Sequence, residues 1–379
     1  MLRFFLTAFF ACWLCADLYL WFSFVRHAAL IWKMLYWLPM LAFVVMMIVT
    51  FTGSRISLNA WLPLLIFFLL QIVVTILSLI GRLVGLAWHP AFPIFNVIGL
   101  TFALFAFIIV GYGMLVGFHD LRVRQVNITV PGLPDAFEGY QIAHLSDLHV
   151  GTHGKKTKFI TQVVAEVNDA HPDLIVFTGD LVNIHPEELT PYREVLSSLQ
   201  TPDGVISVLG NHDYCMYGYR DERDWRQATE QVAAQERSFG WTLLRNDHCF
   251  IHRGDDSIAV AGVEYCGGMN VNSFVDLPAA IQGISDSTFT LLLDHNPAHW
   301  KMEVVPNTHI PLTLAGHTHA AQIKLFGWSP AQWMFKEWSG LYQEDGQQLY
   351  VSEGTGGTIA FRFGTKPEIV MITLHSAKR

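Results

Sequence analysis

Charged residues are scarce in this chain of 379 residues, and they are almost missing from its first third. Asp, Glu, Lys and Arg make up 15% of the sequence, against roughly 25% in an average soluble protein. Apolar residues make up 52%, and the mean hydropathy is +0.34. Before His119 there are five basic residues and one acidic residue, Asp17. This composition excludes an ordinary soluble enzyme over the whole length and predicts a membrane segment at the front of the chain.

Cysteine and positive charge are also in short supply. Five cysteines are present: Cys12 and Cys15 lie in the first apolar stretch, and the other three show neither zinc nor redox spacing. From His119 onwards there are 19 basic and 31 acidic residues, a formal charge of −12. A region this acidic repels nucleic-acid phosphates unless bound cations reverse the local field, so we expect no nucleic-acid partner.

Four long apolar runs account for the hydropathy, and each reaches or approaches the roughly 20 residues that cross a bilayer core. They occupy 4–24, 34–51, 61–80 and 92–118, with interfacial aromatic residues at Trp32, Tyr36, Trp61 and Trp88. The first run does not fit a signal peptide because it contains Asp17, lacks a small-residue cleavage site and precedes three further runs. We therefore predict a four-helix transmembrane domain over 1–120. Buried helices of a soluble bundle are disfavoured because polar faces are missing.

Two polar side chains, Asp17 and Gln71, fall inside these runs. Intramembrane polar groups often mark function, but for Asp17 a structural hydrogen bond to a neighbouring helix is the favoured interpretation. Four spans place Met1 and the polar region on the same side of the membrane. Basic residues flank that side four times and the opposite side three times: Arg3, Arg55, Arg122 and Arg124 against Arg26, Lys33 and Arg82. This count favours a cytoplasmic polar region.

The polar region, 121–379, alternates short apolar runs with helical patterns. Strands are predicted at 139–146, 173–179, 205–210, 257–263, 289–295, 311–317, 349–354 and 368–374. Helices are predicted at 159–170, 192–199, 224–239 and 276–284. Strands that alternate with helices, followed by a strand-rich second half, indicate an α/β layered sandwich and not an all-β one.

Polar side chains collect at five of the predicted strand ends. They are Asp147 and His149, Asp180, Asn211 and His212, His295, and His317 and His319. Loops at strand ends are where α/β proteins place their sites. A single histidine is more often a hydrogen-bonded core residue, but five clusters of Asp, Asn and His are not explained that way. Imidazole and carboxylate suit Mn, Fe or Zn, and Asp-x-His and His-x-His can chelate on an extended segment, where alternate side chains point the same way.

These motifs, "DLH", "GD", "GNHD", a later "H" and "GHTH" in this order, resemble the calcineurin-like metallophosphoesterase superfamily. The resemblance covers 126–375. The closing "LYVSEGTGG…FRF…KPEI" and the preceding apolar runs are similar to its membrane-attached bacterial branch. This resemblance implies two central mixed sheets flanked by helices over 121–379, in a protein integral to the bacterial inner membrane. It also implies a phosphoesterase that uses two divalent ions of Mn, Fe or Zn.

The resemblance further implies a role for each site residue. One ion is held by Asp147, His149 and His319, the other by Asn211, His295 and His317, and Asp180 bridges both. A metal-bridged hydroxide attacks a phosphomonoester or phosphodiester, and His212 is the catalytic general acid. Asp213 is expected to support the loop by bonding backbone amides, in preference to a catalytic part. Because these positions are intact, an active hydrolase is favoured over a membrane sensor or scaffold that retains the fold without turnover.

Three departures from the family pattern bear on the site. Asn183 stands where many relatives have Asp, at a position expected to orient the catalytic imidazole. Ala320 and Ala321 replace two glycines after the "GHTH" pair and restrict the backbone there. Glu353 stands where a basic residue is common. The last two departures leave the substrate open.

An aromatic stretch follows the "GHTH" pair. The segment 326–342, "FGWSPAQWMFKEWSGLY", contains three Trp, two Phe, a Met and a Tyr. These side chains either cap the sandwich core or form a flap in which Trp328, Trp333 and Trp338 contact lipid. The second interpretation predicts a lipid-linked phosphoester as the substrate.

Overall fold

The computed structural model describes residues 2–51, 58–267 and 273–377. The chain divides into two compact units, Met1–Tyr112 and Gly113–Arg379. Arg55, which enters the count of basic flanking residues, lies outside the described residues.

The first unit is made of helices α1 to α4. Their bounds are Leu2–Leu20, Leu30–Phe51, Leu58–Gly85 and Ala91–Leu115, and α1 continues into a π-helical turn at Trp21–Val25. Among the described residues, three helices are long and apolar enough to cross a membrane: Leu30–Val49, Ala60–Gly85 and Ala91–His119. Four spans were predicted, and three candidate spans are found in the described part of the chain, where the first apolar helix contributes only the shorter stretch Phe9–Val25. The orientation argument, which rested on four spans, loses its premise.

The candidate spans carry apolar side chains on their outer surface. On α4, Leu104, Phe105 and Phe107 are 61%, 63% and 65% exposed. A helix that is apolar on every face is stable where lipid surrounds it. Between the helices, a small core forms around Trp13 and Phe43, whose ring centroids lie 4.8 Å apart.

Asp17 makes a structural hydrogen bond of the kind expected from the sequence. Its Oδ1 accepts from Tyr36 Oη at 3.0 Å and from Gln71 Nε2 at 2.5 Å. The two donors come from α2 and α3, so the carboxyl group connects three helices.

The second unit contains two six-stranded mixed sheets, which confirms the predicted α/β fold. The strands are β1 Arg122–Val130, β2 Gln141–Leu145, β3 Leu174–Phe177, β4 Val205–Ser207, β5 Thr242–Leu243, β6 Asp247–Arg253, β7 Asp256–Gly262, β8 Thr290–Leu293, β9 Leu312–Ala315, β10 Gly340–Glu344, β11 Gln347–Val351 and β12 Glu368–Ser376. The strand orders are β1-β12-β2-β3-β4-β5 and β10-β11-β9-β8-β7-β6. In each sheet, parallel pairing joins the central strands that precede the candidate site.

Helices cover the outer faces of the two sheets. The α-helices of this unit are α5 Val150–His153, α6 Lys158–Asp169, α7 Arg193–Leu196, α8 Glu222–Ser238, α9 Leu277–Ala280, α10 Pro297–His299 and α11 Val305–Asn307. On α6, Ile160, Val163 and Val167 recur at helical spacing and pack against the first sheet. Between the sheets, Ile142 and Val176 of the first sheet join Leu291 of the second in one buried core. All eight predicted strands are present, but β1, β5, β6 and β10 were missed, and the helices predicted at 192–199 and 276–284 are only four residues long.

Candidate metal centre

Five strands from both sheets end at the same edge of the sandwich. Strands β2, β3 and β4 of the first sheet run parallel, as do β8 and β9 of the second, so their carboxyl ends coincide. The loops that leave these ends carry the polar residues predicted from the sequence: Asp147, His149, Asp180, Asn211, His212, His295, His317 and His319. The tertiary fold therefore brings all eight to one edge.

The first group of donor atoms comprises Asp147, His149, Asp180 and His319, whose candidate ligand atoms all lie within 4.8 Å of one another. His149 Nε2 lies 3.2 Å from His319 Nε2 and 3.4 Å from Asp180 Oδ2. His319 Nε2 lies 3.4 Å from Asp147 Oδ1. Two ring nitrogens and two carboxylate oxygens thus face a common point.

A second group shares Asp180 with the first and adds His295 and His317. Asp180 Oδ2 lies 3.3 Å from His295 Nε2. His295 Nε2 in turn lies 3.1 Å from His317 Nδ1 and 3.0 Å from Asn211 Oδ1. The same oxygen of Asp180 therefore faces both groups.

This donor set fits divalent cations. Ligand atoms about 2.0–2.2 Å from one ion lie about 2.8–3.6 Å from each other in octahedral or tetrahedral coordination, and the distances above fall in that range. A proton between two facing ring nitrogens is bonded to only one of them, whereas a cation between them would bind the lone pairs of both. The groups contain imidazole and carboxylate and no thiolate, a donor set that suits Mn, Fe or Zn.

Burial sets the protonation state of the imidazoles. It lowers the pKa of His149 and of His317 to about 3, so both rings are neutral and have a lone pair to offer. Burial also disfavours the charged forms of His295 and Asp180, but their mutual attraction outweighs it: the pKa of His295 is raised to about 10 and that of Asp180 lies well below its usual value. Because a cation favours the deprotonated imidazole, metal binding here would release the proton of His295.

The backbone of the candidate ligands is not extended, which corrects the expected basis of chelation. Five of these residues lie in the left-handed region, with φ of 57° at Asp147, 44° at His149, 60° at Asp180, 73° at His317 and 50° at His319. Non-glycine residues rarely adopt this conformation, and it concentrates at functional sites. The side chains of Asp-x-His and His-x-His converge because each loop coils tightly, and not because alternate residues of a strand share a face.

Glycine is required at two positions beside these loops. Gly179 precedes Asp180 with φ of 89°, and a Cβ there would lie 2.3 Å from the backbone nitrogen of Gly210. At Gly316 a Cβ would lie 1.9 Å from Ser146 Oγ and 2.4 Å from Asp147 Oδ2. Any side chain at either position would push the loops apart.

Asp213 holds two of the site loops together through hydrogen bonds to their backbone. Its carboxylate accepts hydrogen bonds from four backbone amides, those of Asp180, Leu181, Val182 and Gly210, at 2.7–3.1 Å. It therefore connects the loop after β3 to the loop after β4. Burial, together with the charge of Asp180, raises the pKa of Asp213 to about 7.

His212 lies at the margin of the cluster and is partly exposed. Its backbone N–H donates to Asp180 Oδ1 at 2.8 Å, and its Nδ1 lies 2.6 Å from the carbonyl oxygen of Asn183. The Asn183 side chain instead bonds Thr152, with Nδ2 donating to the hydroxyl at 2.8 Å. The imidazole is thus oriented by the backbone of residue 183, and the expected side-chain contact is absent among the described residues.

Tyr217 was missed by sequence reasoning. Its hydroxyl accepts a hydrogen bond from Asn211 Nδ2 at 3.0 Å, and its ring centroid lies 4.6 Å from that of His212. The ring is 61% exposed, so it stands at the open side of the site. Only its position six residues after Asn211 could have drawn attention to it.

Arg362 was also missed, although it lies in the quoted "FRF" motif. It is fully buried, and its Nη2 donates to the carbonyl oxygens of Glu353, Gly354 and Gly356. The amide of Gly356 in turn donates to the carbonyl oxygen of Asp147 at 2.8 Å. The guanidinium therefore fixes a loop that holds the backbone of Asp147.

Glu353 does not face the site opening. It is 1% exposed, and it accepts from Lys324 Nζ at 2.6 Å, Ser339 Oγ at 2.7 Å and Thr365 Oγ1 at 2.6 Å. Burial alone would raise the pKa of this carboxyl, but these donors outweigh it and lower the pKa to about 2. The departure at position 353 is thus accommodated by an ion pair between the buried Glu353 carboxylate and the partly exposed Lys324.

The aromatic segment is attached to the "GHTH" loop. The Phe335 ring meets the His317 ring edge-on at 5.3 Å, and the Trp338 carbonyl accepts from Thr318 Oγ1 at 2.6 Å. Trp338 is only partly exposed. Three other side chains of the segment form an exposed surface: Phe326, Trp333 and Met334, at 108%, 78% and 79% exposure. This set, with the half-exposed Trp328, is termed the aromatic patch.

Fold and site together define an α/β sandwich of two mixed sheets with an Asp/His cluster at one sheet edge, an arrangement suited to a metal-dependent hydrolase. The calcineurin-like phosphoesterase family model matches residues 140–321. Over 277 residues, covering 70% of this chain and 90% of the relative, the sequence is 30% identical to the metallophosphoesterase YkuE of Bacillus subtilis. The chain therefore belongs to the calcineurin-like metallophosphoesterase family and is a metal-dependent hydrolase, as predicted.

Two other relatives have names that refer to a membrane or to a lipid-bearing compound. The chain is 31% identical over 278 residues to the Bos taurus transmembrane protein with metallophosphoesterase domain, covering 70% of this chain but only 60% of that protein. It is 28% identical over 300 residues to the UDP-2,3-diacylglucosamine pyrophosphatase LpxG of Chlamydia trachomatis, covering 66% and 88%. Together with the three candidate spans, the transmembrane relative indicates a membrane protein.

Proposed function

We propose that this protein is a membrane-anchored phosphoesterase with a dinuclear metal centre, in which Asp180 bridges the two ions. The observation that carries the proposal is the position of Asp180 Oδ2, which lies 3.4 Å from His149 Nε2 on one side and 3.3 Å from His295 Nε2 on the other. Asp147, His149 and His319 would complete one ligand set, and Asn211, His295 and His317 the other. Mn, Fe or Zn would suit both.

The residues around the cluster would have separate roles in the reaction. Two bound divalent ions would activate a water molecule and stabilise charge on the phosphoryl oxygens. His212, anchored through its Nδ1, would present Nε2 to the substrate and protonate the leaving oxygen. Asp213 and Arg362 would hold the loops in position through backbone groups. A phosphomonoester and a phosphodiester both fit this division of roles.

We further propose a lipid-linked phosphoester as the substrate in a bacterial inner membrane. The aromatic patch supports this, because large exposed apolar side chains beside a site bind interfaces. The candidate spans would keep the enzyme at a lipid surface. A relative named as a diacylglucosamine pyrophosphatase also acts on a lipid-bearing compound.

The experiment that tests the dinuclear centre is Asp180→Asn in the full-length protein. Loss of the bridging charge should lower bound metal from two ions per chain and reduce phosphoester hydrolysis by at least about 10²-fold. Metal content is measured by plasma emission after dialysis, and circular dichroism checks that the fold is retained.

Glu236→Gln provides the matched control. Glu236 is a buried carboxyl that bonds Ser207 Oγ at 2.6 Å, and burial raises its pKa well above the usual value, so Gln replaces a neutral group. This variant should keep both metal and activity. An Asp180→Asn protein with two ions and normal turnover would contradict the proposal, and a wild type that binds metal but hydrolyses no phosphoester would support a scaffold instead.

A further inference from the structure

The chain turns back on itself after the "GNHD" motif, and this turn carries Tyr217 to the margin of the metal cluster. The amide of Cys215 donates to the carbonyl oxygen of His212 at 2.9 Å, and Cys215 adopts a φ of 56°. The amide of Gly218 in turn donates to the Cys215 carbonyl oxygen at 2.9 Å. A Cβ at Gly218 would lie 2.5 Å from Ile184 Cγ2, so the absence of a side chain lets the turn pack closely against the loop after β3. The fold therefore fixes the position of Tyr217, although the residue is 61% exposed.

The hydroxyl group of Tyr217 bonds the far side of a candidate metal ligand, Asn211. Asn211 Nδ2 donates to Tyr217 Oη at 3.0 Å, while Asn211 Oδ1 lies 3.0 Å from His295 Nε2 in the second group of donor atoms. A neutral amide is a weak ligand, and a hydrogen bond from its N–H group polarises it and makes the carbonyl oxygen more negative. Asn211 is only 4% exposed, so without Tyr217 this N–H group would lose a hydrogen bond that water can hardly replace.

The ring of Tyr217 contacts the imidazole of His212. The two ring centroids lie 4.6 Å apart, and the ring planes are inclined by 38°. The His149 ring meets the same imidazole edge-on, with centroids 4.8 Å apart and an angle of 88°. Because His212 Nδ1 is already bonded to the carbonyl oxygen of Asn183 at 2.6 Å, these two rings restrict the remaining movement of the imidazole. Tyr217 thus helps to keep His212 Nε2 in one direction.

We infer that Tyr217 is a positioning residue with two separable roles. Its hydroxyl group supports Asn211 as a ligand of the second ion, the one assigned to Asn211, His295 and His317, and its ring holds His212 for proton transfer. This inference rests on the proposed dinuclear centre. Groups that bond the far side of a metal ligand typically account for about 10–100-fold in metal affinity. Substitutions that remove the hydroxyl group alone, or the hydroxyl group together with the ring, separate the two roles.

Tyr217→Phe removes the hydroxyl group and keeps the ring. Metal-free full-length protein in lipid nanodiscs is titrated with Mn²⁺, and electron paramagnetic resonance measures the free ion. The wild type should bind two ions per chain, whereas Tyr217→Phe should bind the first unchanged and the second about 10–100-fold more weakly. Tyr192→Phe is the matched control, because it removes a hydroxyl bond outside the cluster, from Tyr192 Oη to the carbonyl oxygen of Gly154 at 2.8 Å. This control should bind both ions as the wild type does.

Tyr217→Leu removes the ring as well. At saturating Mn²⁺ it should hydrolyse an alkyl phosphoester about tenfold more slowly than Tyr217→Phe does, with little change on a p-nitrophenyl ester, whose leaving group needs no proton. The inference is overturned by unchanged affinity for the second ion in Tyr217→Phe, by equal weakening in Tyr192→Phe, or by equal losses on the two esters in Tyr217→Leu. A wild type that binds fewer than two ions would instead overturn the dinuclear centre, and this inference with it.

Discussion

His212 is held by its backbone and by one ring nitrogen, while the rest of the ring stays open. The N–H group bonds Asp180, Nδ1 meets the Asn183 carbonyl oxygen, and the ring packs against His149 with centroids 4.8 Å apart. This arrangement leaves Nε2 as the atom that can transfer a proton to a substrate. A general acid should matter most where the leaving group is a poor one.

We expect His212→Ala to reduce hydrolysis of an alkyl phosphoester by about 10²–10³-fold, and that of a p-nitrophenyl ester only slightly. The reason is that nitrophenolate departs without a proton, whereas an alkoxide does not. Steady-state rates on both esters measure the difference. His309→Ala, at an exposed histidine outside the cluster, should change neither rate. Equal losses on the two esters would assign His212 to substrate binding.

At the scale of the element, the turn after the "GHTH" pair is strained. Four consecutive residues, 319–322, have φ between 48° and 57°. Ala320 and Ala321 occupy positions where the family commonly has glycine, and the side chain of Ala321 is exposed. A left-handed conformation costs an L-residue about 1–2 kcal/mol, which exceeds the entropic cost of glycine. The alanines therefore hold the loop in shape at the expense of stability.

Ala321→Gly should stabilise the phosphoesterase unit by about 0.5–1 kcal/mol. Denaturant unfolding of the full-length protein, monitored by tryptophan fluorescence, measures the shift. Ala234 is exposed in the middle of α8, and Ala234→Gly should instead destabilise the unit by about 1 kcal/mol. If Ala321→Gly destabilised the protein to the same degree, the strain would not be relieved by glycine and the argument would fail.

At the scale of the whole molecule, the exposed aromatic patch and the candidate spans are apolar surfaces of the same chain. The sequence left two interpretations for Trp328, Trp333 and Trp338: a cap on the sandwich core or a lipid-facing flap. In the structure Trp338 is partly buried, and Lys324 Nζ lies 5.2 Å from its ring centroid. Trp338 therefore packs within the aromatic segment and is not part of its exposed surface. The exposed set is Phe326, Trp333 and Met334, and the membrane test should be made there.

Replacing Phe326, Trp333 and Met334 by Ser should lower hydrolysis of a phospholipid in vesicles by about tenfold, while the rate on a water-soluble diester stays nearly unchanged. The physical reason is the loss of apolar area that inserts at the headgroup level. Phe250→Ser, at a 42% exposed position on β6, is the control for removing a surface aromatic residue. A parallel fall on both substrates would mean that the patch supports the core of the unit.

Several features could be predicted from the sequence because they depend on local pattern. Runs of apolar residues identify helices and buried strands, and all eight predicted strands are present because buried parallel strands read as continuous apolar segments. The short strand β5 and the edge strands β1, β6 and β10 were missed. In β1, exposed and partly buried residues alternate, so the apolar signal is weak. The family was evident because its motifs are short and keep a constant order.

The sequence by itself determined the class of protein: an apolar helical unit, an α/β unit, and Asp, Asn and His at five strand ends. Only the tertiary structure decided which atoms meet, because that depends on long-range packing of loops from two sheets. It placed one oxygen of Asp180 between two groups of donors, turned five candidate ligands into the left-handed region, and oriented His212 through a backbone carbonyl instead of a side chain. It also joined Asp17 to Tyr36 and Gln71 across three helices, since hydrogen-bond partners do not follow from hydropathy alone.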